Sequence, residues 1–162
     1  MPTEDTIKLL KECDAGCKMG IDSINQVIDK TDNKKLYSIL EKYLKDHKKL
    51  QNKISDKLNE FGDSEKQPSS LAKTMSYLKI NFKLIKGEHD KEIADLMTDG
   101  CNMGIKSIHR YMNQYPAALE SIKSLCNDLS ELEENFAKDL RVYLWKNATN
   151  WWHFFSIDLL SL

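Results

Sequence analysis

The stretch Gly16-Cys17-Lys18-Met19-Gly20-Ile21-Asp22-Ser23-Ile24 returns 84 positions later as Gly100-Cys101-Asn102-Met103-Gly104-Ile105-Lys106-Ser107-Ile108, with seven of nine positions identical. Each copy sits inside an apolar pattern of helical period. Leu10, Cys17, Ile21, Ile24 and Ile28 surround the first, and Ile93, Leu96, Met97, Cys101, Ile105 and Ile108 surround the second. A repeat of this kind predicts two related helical hairpins packed about a pseudo-two-fold axis.

The rest of the chain supplies the other arm of each hairpin. Thr3 to Thr6 offers caps for the first helix, and Thr31-Asp32-Asn33 makes a turn after it. Leu36, Leu40, Tyr43, His47, Leu50, Ile54 and Leu58 mark a second helix, stopped by Gly62. A polar loop follows to Pro68, then a shorter helix from Ser69-Ser70 carrying Leu71, Met75, Leu78, Phe82 and Ile85. Pro116 closes the third long helix, and Ile122, Leu125, Leu129, Leu132, Phe136 and Leu140 mark the fourth. Two short connections and one long one predict two antiparallel hairpins joined by a crossover helix. The fold class expected is therefore all-α, a four-helix bundle over residues 1–144 followed by an aromatic tail over 145–162.

Charge bounds the partners. The chain has 162 residues with 24 basic against 25 acidic side chains, and all but Arg110 and Arg141 of the basic ones are lysine. A near-neutral balance without arginine forks argues against nucleic acid. The polar, acidic start Met1-Pro2-Thr3-Glu4-Asp5 has no apolar leader, and no run of 18 apolar residues exists, so a cytoplasmic protein is expected. Its four cysteines are then expected to be reduced.

The glycine pairs are the costliest feature. A helix-interior glycine costs about 1 kcal/mol against alanine, so Gly16, Gly20, Gly100 and Gly104 together forgo about 4 kcal/mol. The simplest compensation is close packing of helix one on helix three, backbone against backbone. The alternative is that the glycines make room for a ligand or a bulky side chain. Cys13, Cys17, Cys101 and Cys126 form a candidate thiol cluster, although no Cys-x-x-Cys pair is present.

Three polar residues interrupt apolar stripes: Asp14, His47 and Glu133. They are the candidate metal ligands, for iron, manganese or zinc. A carboxylate-bridged di-iron site needs a Glu from each of two helices and a Glu-x-x-His from each of the others. Here Leu44 precedes His47 by three, the fourth helix has no histidine, and Thr98 stands where the repeat would place a partner for Asp14. A satisfied core histidine, bonded to Asp14 or Tyr43, is the competing reading of His47. No phosphate loop, nucleophile elbow or dinucleotide fingerprint is present.

The tail holds all three tryptophans, Trp145, Trp151 and Trp152, with Phe154 and Phe155 beside them. Aromatics at this density predict docking, on the bundle itself or on a protein partner, through Trp151, Trp152, Phe154 and Phe155. Lys146 is the one flanking cation, which argues against membrane attachment.

The segments Glu12-Cys13, Gly16-Cys17-Lys18-Met19-Gly20, Asp46-His47, Ile93 to Gly104 and Leu132 to Arg141 resemble those of bacterial ferritin-like four-helix bundles, notably short clostridial-type proteins without an assigned role. The resemblance covers residues 6–144. It implies a ferritin-like fold, and it raises metal as a cofactor without the Glu-x-x-His motifs of ferroxidase activity. The expected role is a non-enzymatic bundle acting through protein contacts, as a homo-oligomer. The alternative is a degenerate metal-binding or iron-handling protein with a partial carboxylate and histidine site.

Overall fold

The computed structural model describes residues 2–62 and 90–144, which form four long helices and no strand. They are α1 (Glu4–Val27), α2 (Lys34–Glu60), α3 (Asp90–Gln114) and α4 (Glu120–Leu140), with short 3-10 turns at Ile28–Lys30 and Arg141–Tyr143. The crossover helix expected over residues 69–85 and the tail residues Trp151, Trp152, Phe154 and Phe155 lie outside the described residues.

Local chemistry sets the helix ends. Thr3 caps α1 by accepting from the Thr6 amide, and Asn33 caps α2 by accepting from the Lys35 and Leu36 amides. Gly62, at φ +70°, takes the left-handed position just past α2, a conformation that costs glycine little. Leu119 brings no side-chain cap to α4; its amide instead donates to the Thr6 hydroxyl of α1.

Hydrogen bonds between the ends fix the helix directions. Thr3 and Asp5, at the start of α1, bond Ala117 in the α3–α4 loop. Thr31 and Asn33, in the α1–α2 connection, both donate to the carboxylate of Asp90 at the start of α3. Hence α1 runs antiparallel to α3 and parallel to α4. Antiparallel hairpins α1–α2 and α3–α4 make the order up, down, down, up. The end of α2 and the start of α3 therefore stand at opposite ends of the bundle, about 40 Å apart for a helix of 27 residues.

Each hairpin packs within itself, α1 lies on α3, and α2 lies on α4. Across the diagonal α1 also packs on α4, and α2 and α3 do not approach comparably. The core is split into two apolar clusters. One holds Ile24, Leu36, Leu40, Tyr43, Ile93, Met97, Cys101, Phe136 and Leu140; the other holds Leu10, Cys13, Cys17, Leu50, Ile54, Ile108, Ile122, Cys126 and Leu129. No described helix is long and apolar enough to cross a membrane.

Candidate functional site

Between the two apolar clusters lies a layer with one residue from each helix: Gly20, His47, Gly104 and Glu133. Along every helix this residue falls where one cluster gives way to the other, as at Cys17-Gly20-Ile24 and Leu129-Glu133-Phe136. His47 is fully buried and Glu133 is 7% exposed. His47 Nε2 stands 3.1 Å from Glu133 Oε1, joining α2 to α4. His47 Nδ1 stands 2.7 Å from the Tyr43 carbonyl oxygen, one turn back on its own helix. A carbonyl only accepts, so Nδ1 carries a proton and donates. One further proton is shared along the Nε2–Oε1 contact, and its position decides whether the pair is charged.

Burial is the largest single influence on the His47 imidazole and lowers its pKa. The hydrogen bond to Glu133, the charge of that carboxylate, the Tyr43 carbonyl and Asp46 together outweigh it, so the net shift is upward. Wherever the shared proton sits, the pair carries no net charge. The phenol of Tyr43 donates to Asp139 at 2.7 Å, and its ring stacks on Phe136 with centroids 4.4 Å apart, which braces the turn that holds His47.

Gly20 exists to admit this histidine. A Cβ on Gly20 would stand 2.6 Å from two ring atoms of His47, closer than real side chains tolerate. A Cβ on Gly16 would meet Leu129 of α4 at 3.2 Å. In the second repeat a Cβ on Gly104 would meet Glu133 at 3.6 Å, an ordinary contact, and one on Gly100 would meet nothing within 4 Å. The backbone-against-backbone packing of α1 on α3 expected for these glycines is thus not what the structure shows. The nearest neighbours of Gly16, Gly20 and Gly104 are side chains from α2 and α4, because the side chains of those helices point between α1 and α3.

The space left over is a partly open cavity of about 140 Å³ between α1 and α3. All four glycines line it, with His47, Glu133, Leu129 and Phe136 also lining it. Its walls are rich in sulfur: Met19, Met97, Met103, Cys13, Cys101 and Cys126. Glu12, Arg110 and Tyr111 also line it; burial raises the Glu12 carboxyl, against the lowering influence of Tyr111 and Arg110.

The expected metal ligands do not converge. Asp14 is buried but lies on a separate partnership, 2.7 Å from Lys18 Nζ and accepting from Gln51 at 3.2 Å. The thiols are divided as well. Cys13 and Cys126 share a hydrogen bond with Cys17 close by, and Cys101 belongs to the other cluster beside Glu133. The hydrogen bond to Cys126 and burial raise Cys13, whereas burial and nearby carboxylates raise Cys17 and Cys101, so all three are held as neutral thiols. Among the described residues no three histidine, cysteine, aspartate or glutamate side chains are grouped to hold a metal ion. The donor set present does not fit the carboxylate-bridged centre that the family resemblance implies. His109 is exposed, and its Nε2 stands 3.1 Å from the hydroxyl of buried Ser130.

One signal for this layer was present in the chain but not used. The buried stripe Leu36, Leu40, Tyr43, His47, Leu50, Ile54 of α2 has the same spacing as Ile122, Cys126, Leu129, Glu133, Phe136, Leu140 of α4, 86 positions on. Superposing the stripes at this offset makes His47 and Glu133 equivalent positions of the two hairpins. A search against protein-family models and a search of curated proteins find no match for the chain.

Proposed function

We propose that this chain is a non-catalytic binding bundle whose α1–α3 cavity takes a small, largely apolar molecule. One observation carries the reading: Gly100 forgoes about 1 kcal/mol of helix stability with nothing within 4 Å of its missing Cβ, on the wall of a cavity of about 140 Å³. A well-formed apolar cavity with a few converging polar groups is the ordinary form of a small-molecule site. The up, down, down, up order of the helices and the 84-residue repeat favour a ferritin-like arrangement as the scaffold. Metal handling through Asp14, His47 and Glu133 would require Asp14 to leave Lys18 and Gln51, which makes it the weaker reading of the same layer.

The test is a titration of the full chain with toluene, followed through methyl resonances of 13C-labelled methionine. Shifts confined to Met19, Met97 and Met103, and abolished in Gly100→Leu, are expected. Absence of saturable shifts, or shifts that Gly100→Leu leaves unchanged, would refute the reading.

Protein contact through the same face is a second reading, favoured by Met103, 42% exposed where it lines the cavity. It predicts a concentration-dependent homo-oligomer in sedimentation that Met103→Glu dissociates. A monomer at all concentrations would exclude a homo-oligomer at this face.

A further inference from the structure

The cavity has three properties that together select a ligand. Its volume, about 140 Å³, matches the roughly 150 Å³ of a protein cavity that accepts one benzene. Its wall presents three methionines, three cysteines and Phe136, and divalent sulfur packs favourably at the edge of an aromatic ring. Its polar lining is Glu133, under Gly104, with His47 in the same layer and Glu12, Arg110 and Tyr111 also on the wall. Oε1 of Glu133 takes the His47 hydrogen bond, and Cys101 is the other donor beside it. A carboxylate has about four acceptor sites, so capacity remains for one more donor.

Charge narrows the choice. Whichever partner holds the shared proton, the His47–Glu133 pair carries no net charge in a water-poor layer. A cationic ligand would leave its own charge uncompensated there, and an anion would meet Glu133 directly. Glu12 and Arg110, which also line the cavity, offset one another's charge, and nearby Lys18 is committed to Asp14. A pure hydrocarbon fits the walls but leaves the remaining acceptor sites without a partner. An uncharged hydroxyl donating to the Glu133 carboxyl adds a hydrogen bond and no charge.

We infer that the ligand is a phenol-sized aromatic molecule with one uncharged hydrogen-bond donor, its ring against the sulfur-bearing wall and its hydroxyl on Glu133. This rests on the small-molecule reading given above. The experiment is calorimetric binding of toluene, phenol, benzylamine and benzoate to the full chain near pH 7. Toluene and phenol have the same seven heavy atoms and differ in the donor. Phenol is expected to bind at least as tightly as toluene despite being less apolar, and both ions at least about tenfold more weakly than phenol. In Glu133→Gln the ratio of phenol to toluene affinity is expected to fall about fivefold, as one carboxyl oxygen available to accept is replaced by an amide group. The wild-type series decides by itself should that variant fold poorly. Toluene binding with phenol more than tenfold weaker, or tight binding of either ion, would overturn this inference and leave the cavity reading standing. No binding by any of the four would overturn both.

Discussion

The two glycine repeats share seven of nine residues, and the bundle treats them differently. In the first, Gly16 and Gly20 are pressed by Leu129 and His47, with no room for a methyl group at Gly20. In the second, Gly104 lies at ordinary distance from Glu133 and Gly100 borders open space. The flanking positions diverge in the same sense. Asp14 has two partners, and its counterpart Thr98 has a buried hydroxyl with none among the described residues. Identical local sequence makes two similar helices; what faces them decides whether a glycine is a seat for a side chain or the wall of a cavity. The difference follows the diagonal, where α4 closes on α1 and leaves α3 more open.

The largest effect belongs to the layer between the repeats. His47→Ala leaves the Glu133 carboxylate buried without its partner, and a loss of about 3–5 kcal/mol in unfolding free energy is expected from urea denaturation. A cost below about 1 kcal/mol would mean the pair does not join the hairpins. Next comes Gly20→Ala. Its methyl would enter the His47 ring, so a net loss of about 1–3 kcal/mol is expected even after the gain in helix propensity. The equivalent Gly104→Ala meets only ordinary contacts and is expected to be neutral or stabilising in the same denaturation series. Equal costs for the two would erase the comparison. Gly100→Ala sharpens it further: a gain of about 1 kcal/mol is expected, since the methyl meets nothing and the helix improves.

The smallest effect is one of pH. The folded-state pKa of His47 is raised above its unfolded value of 6.5. The stability it contributes is therefore fully present below about pH 6.5 and is lost as pH rises through the folded value. The stability advantage of the wild type over His47→Gln, read from urea midpoints, is expected to shrink as pH rises from 6. An advantage that grows with pH would show instead that burial holds the His47 pKa below its unfolded value.

Much of this was legible in the chain. Helical period, Thr3 to Thr6 as caps, Thr31-Asp32-Asn33 as a turn, Gly62 as a stop and Pro116 as a break located all four described helices to within a few residues. His47 and Glu133 stood out as polar residues on apolar stripes, and the structure brings them together. Asp14 stood out by the same rule and lies elsewhere, because a stripe fixes a face and not a partner. The role of the glycines was not legible. Whether Gly20 meets a backbone or a histidine depends on how far α2 and α4 reach between α1 and α3, a shift that no single helix encodes. The equal spacing of the α2 and α4 stripes is consistent with His47 and Glu133 as equivalent positions, but a 4,3 spacing recurs every seven residues and leaves the register open.

A crystal of the full chain pressurised with xenon tests the central claim most directly, because xenon enters apolar cavities without needing any particular chemistry. One strong peak between α1 and α3, bounded by Gly100, Met97 and Leu129, is the predicted result. Xenon absent from that position, with the side chains of α2 and α4 filling the space beside Gly100, would contradict it.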